Sequence, residues 1–62
     1  MNTKKYNTLN KFYEKANALR LDSLYKEAAA NYLNAILIDR NNAESYFGLG
    51  ICYKNLNQYS KA

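Results

Sequence analysis

The chain has no proline, no tryptophan and no histidine, two glycines and one cysteine. Each scarcity excludes something. Without proline and with glycine only at Gly48 and Gly50, the turn chemistry of a strand-rich architecture is missing. With Cys52 as the lone thiol, no internal disulfide can form, and without histidine a structural zinc site has too few ligands. The longest apolar run is Ala35-Ile36-Leu37-Ile38, far short of a spanning helix. No apolar stretch follows the lysines of MNTKKYNTLNK, so the amino terminus does not read as a secretory signal, and a cytoplasmic location is the default.

Catalytic groupings are equally scarce. Glu14, Asp22, Glu27, Asp39 and Glu44 are scattered, with no carboxylate pair among them. Ser23, Ser45 and Ser60 have no base near them in sequence, and no glycine-rich phosphate loop occurs. The chain does not read as an enzyme, and no cofactor or metal is implied. At 62 residues there is room for one small domain, and a domain of that size buries only about 60% of the surface its unfolded chain exposes. Small scaffolds need a staple, and with disulfide and metal excluded, association is the one that remains.

What is present is helical periodicity. Leu9, Phe12, Tyr13, Ala16 and Leu19 form one stripe at helical spacing in a first helix over about residues 9–21. Asp22-Ser23 supplies a polar break and a candidate cap for a second helix, Leu24 to about Asp39, with Tyr25, Ala28, Tyr32 and Ala35 on one face. Arg40-Asn41-Asn42 ends that helix. Asn42 is suited to cap a third, Ala43 to Leu56, with Glu44 in its positive first turn. Asn57-Gln58 is expected to break the third helix, and Tyr59-Ser60-Lys61-Ala62 to open another. The expected architecture is all-α, with antiparallel helices joined by tight turns.

Displacing the chain by 34 residues aligns it with itself. Phe12 falls on Tyr46, Tyr13 on Phe47, Ala16 on Gly50, Leu19 on Tyr53, Arg20 on Lys54, Tyr25 on Tyr59 and Ala28 on Ala62. Aromatic, small and polar classes recur in register. Ala16 and Gly50 are expected to face Ala28 and Ala62 across each hairpin, with Phe12, Tyr32, Tyr46 and Tyr53 filling the wedges between helices.

This spacing resembles the tetratricopeptide repeat (TPR). Phe12, Ala16, Leu19, Tyr25, Ala28, Tyr32, Ala35 and Asp39-Arg40-Asn41-Asn42 fill one repeat, and Ala43 to Tyr53, with Tyr59 and Ala62, match the opening of the next. Lys15 and Arg40 depart from the family's usual Leu and Pro. The resemblance implies a three-helix fragment of an α-solenoid: a basic lead over residues 1–8, a complete repeat over 9–42, and a partial repeat over 43–62. It would be a piece of a longer array or a minimal one.

The resemblance also implies a function, a protein-interaction or scaffold module whose first helices line a peptide-binding groove. The matching slots are Asn10, Tyr13, Asn17, Arg20 and Leu21 on the first helix, and Glu44, Phe47, Ile51, Lys54 and Asn55 on the third. Asn17 is suited to bond a ligand backbone, and Arg20 with Lys54 to attract acidic side chains. The carboxylate clamp of chaperone-binding members is incomplete, because Tyr13 stands where those members carry Lys.

A second candidate surface is the apolar stripe Tyr46, Leu49, Tyr53, Leu56 and Tyr59. It is expected to be bare and to drive self-association, giving a homo-oligomer. The competing class is a nucleic-acid or anionic-surface binder using the net charge of +4. Against it, Tyr25, Tyr32, Tyr46, Tyr53 and Tyr59 occupy core slots of the repeat, which leaves only Tyr6 and Tyr13 for base stacking. Cys52, between two stripes, is expected to be a small, half-buried apolar residue.

Overall fold

The computed structural model describes the backbone of residues 3–61 and the side chains of residues 4 and 7–57. Three helices follow one another: α1 (Thr3–Leu21), α2 (Tyr25–Ile38) and α3 (Ala43–Lys61). Short connections make α2 antiparallel to both neighbours, and α1 and α3 run side by side in the same direction. No helix among the described residues is long and apolar enough to cross a membrane.

The core is built from small residues. Ala16, Ala28, Ala29, Tyr32, Leu49 and Cys52 form one buried cluster, with Tyr13, Leu19, Tyr25 and Ile36 packed against it. Ala16 and Ala28 are both fully buried, so α1 and α2 approach closely there, as small side chains permit. Tyr32 is the largest side chain with no exposed surface. Ser45 is buried at the start of α3, and its Oγ has no hydrogen-bond partner among the described residues. The site therefore selects a small side chain rather than a hydroxyl.

The connections show how each helix is stopped. After α1, the Leu24 amide donates to the Leu19 carbonyl (2.9 Å) and the Ser23 amide to the Arg20 carbonyl (3.0 Å). This pair of bonds is the Schellman closure, which requires a left-handed residue between them. Ser23 supplies it, with φ of 65°. Asp22 and Ser23 therefore close α1 and do not cap α2. The cap position of α2 belongs to Leu24, which gives no side-chain hydrogen bond.

After α2, the Asn41 amide donates to Asp39 Oδ1 (3.0 Å) and turns the chain. Asn42 then caps α3 as expected: its Oδ1 accepts from the Ser45 amide at 2.9 Å.

Four further expectations are corrected. First, α1 begins at Thr3, so part of the lead is helical. Once the buried stripe nucleates a helix, each added residue without Gly or Pro gains a backbone bond. Second, α3 passes through Asn57-Gln58 without a turn and runs to Lys61. Asn and Gln cost only a few tenths of a kcal/mol inside a helix, and no glycine stands there to terminate it.

Third, Leu49 is buried in the core rather than bare, while Tyr46 and Tyr53 are each 48% exposed and do not fill wedges. Cys52 likewise is fully buried, not half-buried. Fourth, Gly50 is exposed, and beyond its own helical backbone and chain neighbours nothing among the described residues lies within 4 Å of where its Cβ would be. The close approach belongs to Gly48 instead. Ala62 and the Tyr59 side chain lie outside the described residues.

Ser23 bears strain that glycine would not. A left-handed conformation costs an L-residue about 1–2 kcal/mol, part of which glycine returns through the unfolded chain's entropy. Ser23→Gly is expected to raise the unfolding free energy by about 0.5–1 kcal/mol in urea titration. An unchanged or lower midpoint would show that the serine side chain holds the turn by itself.

Candidate functional site

A cavity of about 460 Å³ lies between α1 and α3. Helical spacing puts Tyr13, Asn17 and Arg20 of α1 on one wall, and Glu44, Phe47 and Ile51 of α3 on the other. The two rows run in the same order because the helices are parallel. Tyr32 and Gly48 lie between the rows and form the floor. Phe47 is a large apolar side chain of the site and is 74% exposed.

The floor is held by one buried hydroxyl. Tyr32 Oη donates to Asn17 Oδ1 and accepts from Arg20 Nε at 3.0 Å. The Tyr13 ring meets the Tyr32 ring edge-on, with centroids 6.2 Å apart and planes at 60°, a geometry that aromatic quadrupoles favour. Tyr13 Oη in turn donates to Glu44 Oε2 at 3.0 Å and ties α1 to the start of α3. The Arg20 guanidinium is held above its ordinary pKa chiefly by its bond to the Tyr32 hydroxyl, with burial pulling the other way.

Space for that hydroxyl comes from Gly48. A Cβ at this position would lie 2.6 Å from Tyr32 Cε1 and 2.7 Å from its Oη, closer than packed atoms tolerate. Behind the floor, burial pushes the Cys52 thiol above its ordinary pKa, and the charge of Arg20 pulls it partly back. A buried thiol of raised pKa is a poor nucleophile. Among the described residues, no three His, Cys, Asp or Glu side chains come together as a metal site.

Of the groove slots read from the sequence, Tyr13, Asn17, Arg20, Glu44, Phe47 and Ile51 line this cavity. Asn10, Leu21, Lys54 and Asn55 do not, and of these Leu21 is 77% exposed. The sequence reading gave no role in the site to Tyr32 or Gly48. The available signal was that a core tyrosine, unlike phenylalanine, brings a hydroxyl that needs partners.

Paired antiparallel helices, stacked so that first helices line one side, define a helical-repeat interaction module. The comparison with protein families names the repeat: a family model described as "TPR repeat" matches residues 16–57, more than half of the chain. The chain belongs to the TPR family, whose members are generally non-catalytic modules for binding other proteins. No curated protein and no solved structure matches it.

Two glycines two residues apart on α3 are expected to respond oppositely to alanine. At Gly50, open space leaves only the propensity gain, and Gly50→Ala should stabilise by about 0.5–1 kcal/mol. At Gly48 the same gain is outweighed by displacement of the Tyr32 ring, and Gly48→Ala should destabilise by about 1–2 kcal/mol. Thermal unfolding of both variants checks the pair. Stabilisation by both would mean that Tyr32 moves aside freely.

Proposed function

We propose that this chain is a protein-interaction module that binds a peptide segment of a partner in the groove between α1 and α3. The observation that carries the reading is the juxtaposition of exposed Phe47 and half-buried Ile51 with the fixed polar groups Asn17 and Arg20 around one cavity. Binding sites for peptides and small ligands combine an apolar wall with a few convergent polar groups, and this arrangement has both.

Panning a random peptide library against the immobilised chain tests the reading. Selected peptides are expected to lose about tenfold or more in affinity on Phe47→Asp, with the unfolding midpoint unchanged because Phe47 is 74% exposed. Leu37→Ser, at an exposed position away from the cavity, should leave binding intact. Selection unaffected by Phe47→Asp would remove the groove as the binding site.

A second reading concerns self-association through the outer face of α3. The half-exposed Tyr46 and Tyr53 support it, with Leu56 beside them; Leu49 contributes to the core instead. Light scattering is expected to show mass rising above that of the monomer with concentration, and Tyr46→Asp with Tyr53→Asp to abolish the rise. A clean monomer at millimolar concentration would end this reading.

A further inference from the structure

We infer that the Glu44 end of the groove is a subsite for a cationic side chain, Arg or Lys, within a bound peptide, and that the Tyr13 hydroxyl orients its carboxylate; this rests on the groove reading above. Glu44 is the one carboxylate lining the cavity. The Tyr13 hydroxyl donates to its Oε2 at 3.0 Å, and no other hydrogen bond or ion pair engages the group among the described residues. A phenol bond holds a carboxylate in place without neutralising it, and Oε1 is left over as an acceptor. The chain carries nine basic residues against five acidic ones. An acid left unpaired amid that excess, and facing a cavity, has its charge available for a cation from outside.

The surroundings of the carboxylate suit such a group. Phe47 follows Glu44 by three residues and so stands beside it on the same face of α3. Its ring is 74% exposed and lines the same cavity. A carboxylate next to an aromatic ring attracts a cation both by its charge and through the ring quadrupole, while the apolar stem of Arg or Lys covers the ring. A guanidinium also stacks flat on a ring as its fork meets a carboxylate, so Arg is expected to lead Lys.

Arg20, the one cation among the lining residues, does not fill this place. It lies two turns beyond Tyr13, about 10 Å along the axis of α1, and its Nε is tied to Tyr32 Oη at 3.0 Å. The cavity therefore keeps its positive and negative groups at separate ends. The net charge of +4 disfavours cationic peptides at long range. A cation selected at a single peptide position thus reports a local contact.

The test uses the 62-residue chain and a positional-scanning library of N-acetylated, C-amidated octapeptides, with a free-amine series in parallel. One position at a time is fixed as Arg, Lys, or their neutral counterparts citrulline and acetyl-lysine. On the unaltered chain, Arg is expected to be preferred over citrulline by about fivefold at one position, with an apolar residue selected nearby.

Glu44→Gln should erase the cationic preference and leave the apolar selection, and Glu44→Lys should invert it in favour of acidic residues. Tyr13→Phe, checked for native helix content by circular dichroism, should about halve the preference with apolar selection retained. If Tyr13→Phe weakens both selections equally, the orienting role of its hydroxyl is overturned. Three results overturn the subsite and leave the groove standing: apolar selection without cationic preference, a preference confined to the free-amine series, or one that survives Glu44→Gln. Retention of no peptide removes both. The preference measured on the unaltered chain decides the matter even if a variant fails to fold.

Discussion

A phenol hydroxyl taken out of water must find partners or forfeit a few kcal/mol. In this chain that constraint falls on Tyr32, whose ring has no exposed surface. Its hydroxyl bonds Asn17 and Arg20, both on α1, while its ring packs against Tyr13 of α1 and beneath Gly48 of α3. One side chain on the central helix thus fixes the separation of both outer helices and the orientation of the polar groups between them. The rest of the core is mostly alanine, which brings helices close but buries little surface per residue. A single large aromatic therefore carries an unusual share of the packing.

The helices and their outer boundaries were legible to different degrees, and for physical reasons. Stripes such as Leu9, Phe12, Ala16 and Leu19 declare a helix because burial repeats every turn, and Asn42 before Ala43-Glu44 declares its cap. Ser23 could not be read as the left-handed terminator of α1, because serine there looks like an N-cap and only the backbone bonds reveal otherwise. The turn expected at Asn57-Gln58 rested on polarity alone. Polarity does not end a helix unless a residue also relieves the left-handed backbone.

The walls of the cavity were legible where periodicity decides facing. Tyr13, Asn17 and Arg20 share a face of α1, and Phe47 and Ile51 share one on α3, so they meet across the cavity. Asn10 and Lys54 follow the same period but fall outside the cavity lining, and residue spacing does not report where a cavity closes. Gly48 was invisible for a stronger reason. A glycine inside a helix reads as a weak helix former, and its role depends on a tyrosine that only tertiary packing brings near. Leu49 and Cys52, next to the groove-facing positions, turn inward because α3 covers α2 with a broader face than one stripe suggests.

The contact between Tyr32 and Gly48 also bears on modularity. Repeat proteins are often described as strings of interchangeable units, joined through generic neighbour surfaces. Here the second helix of one unit and the first helix of the next hold a matched pair, a ring with its hydroxyl and a position with no side chain. Recombining units between arrays would separate the two. A partner unit carrying alanine at the position of Gly48 would meet the ring, and one carrying glycine opposite a smaller residue would leave a hole. For engineering, positions 32 and 48 have to be exchanged together, because what one can hold depends on the other.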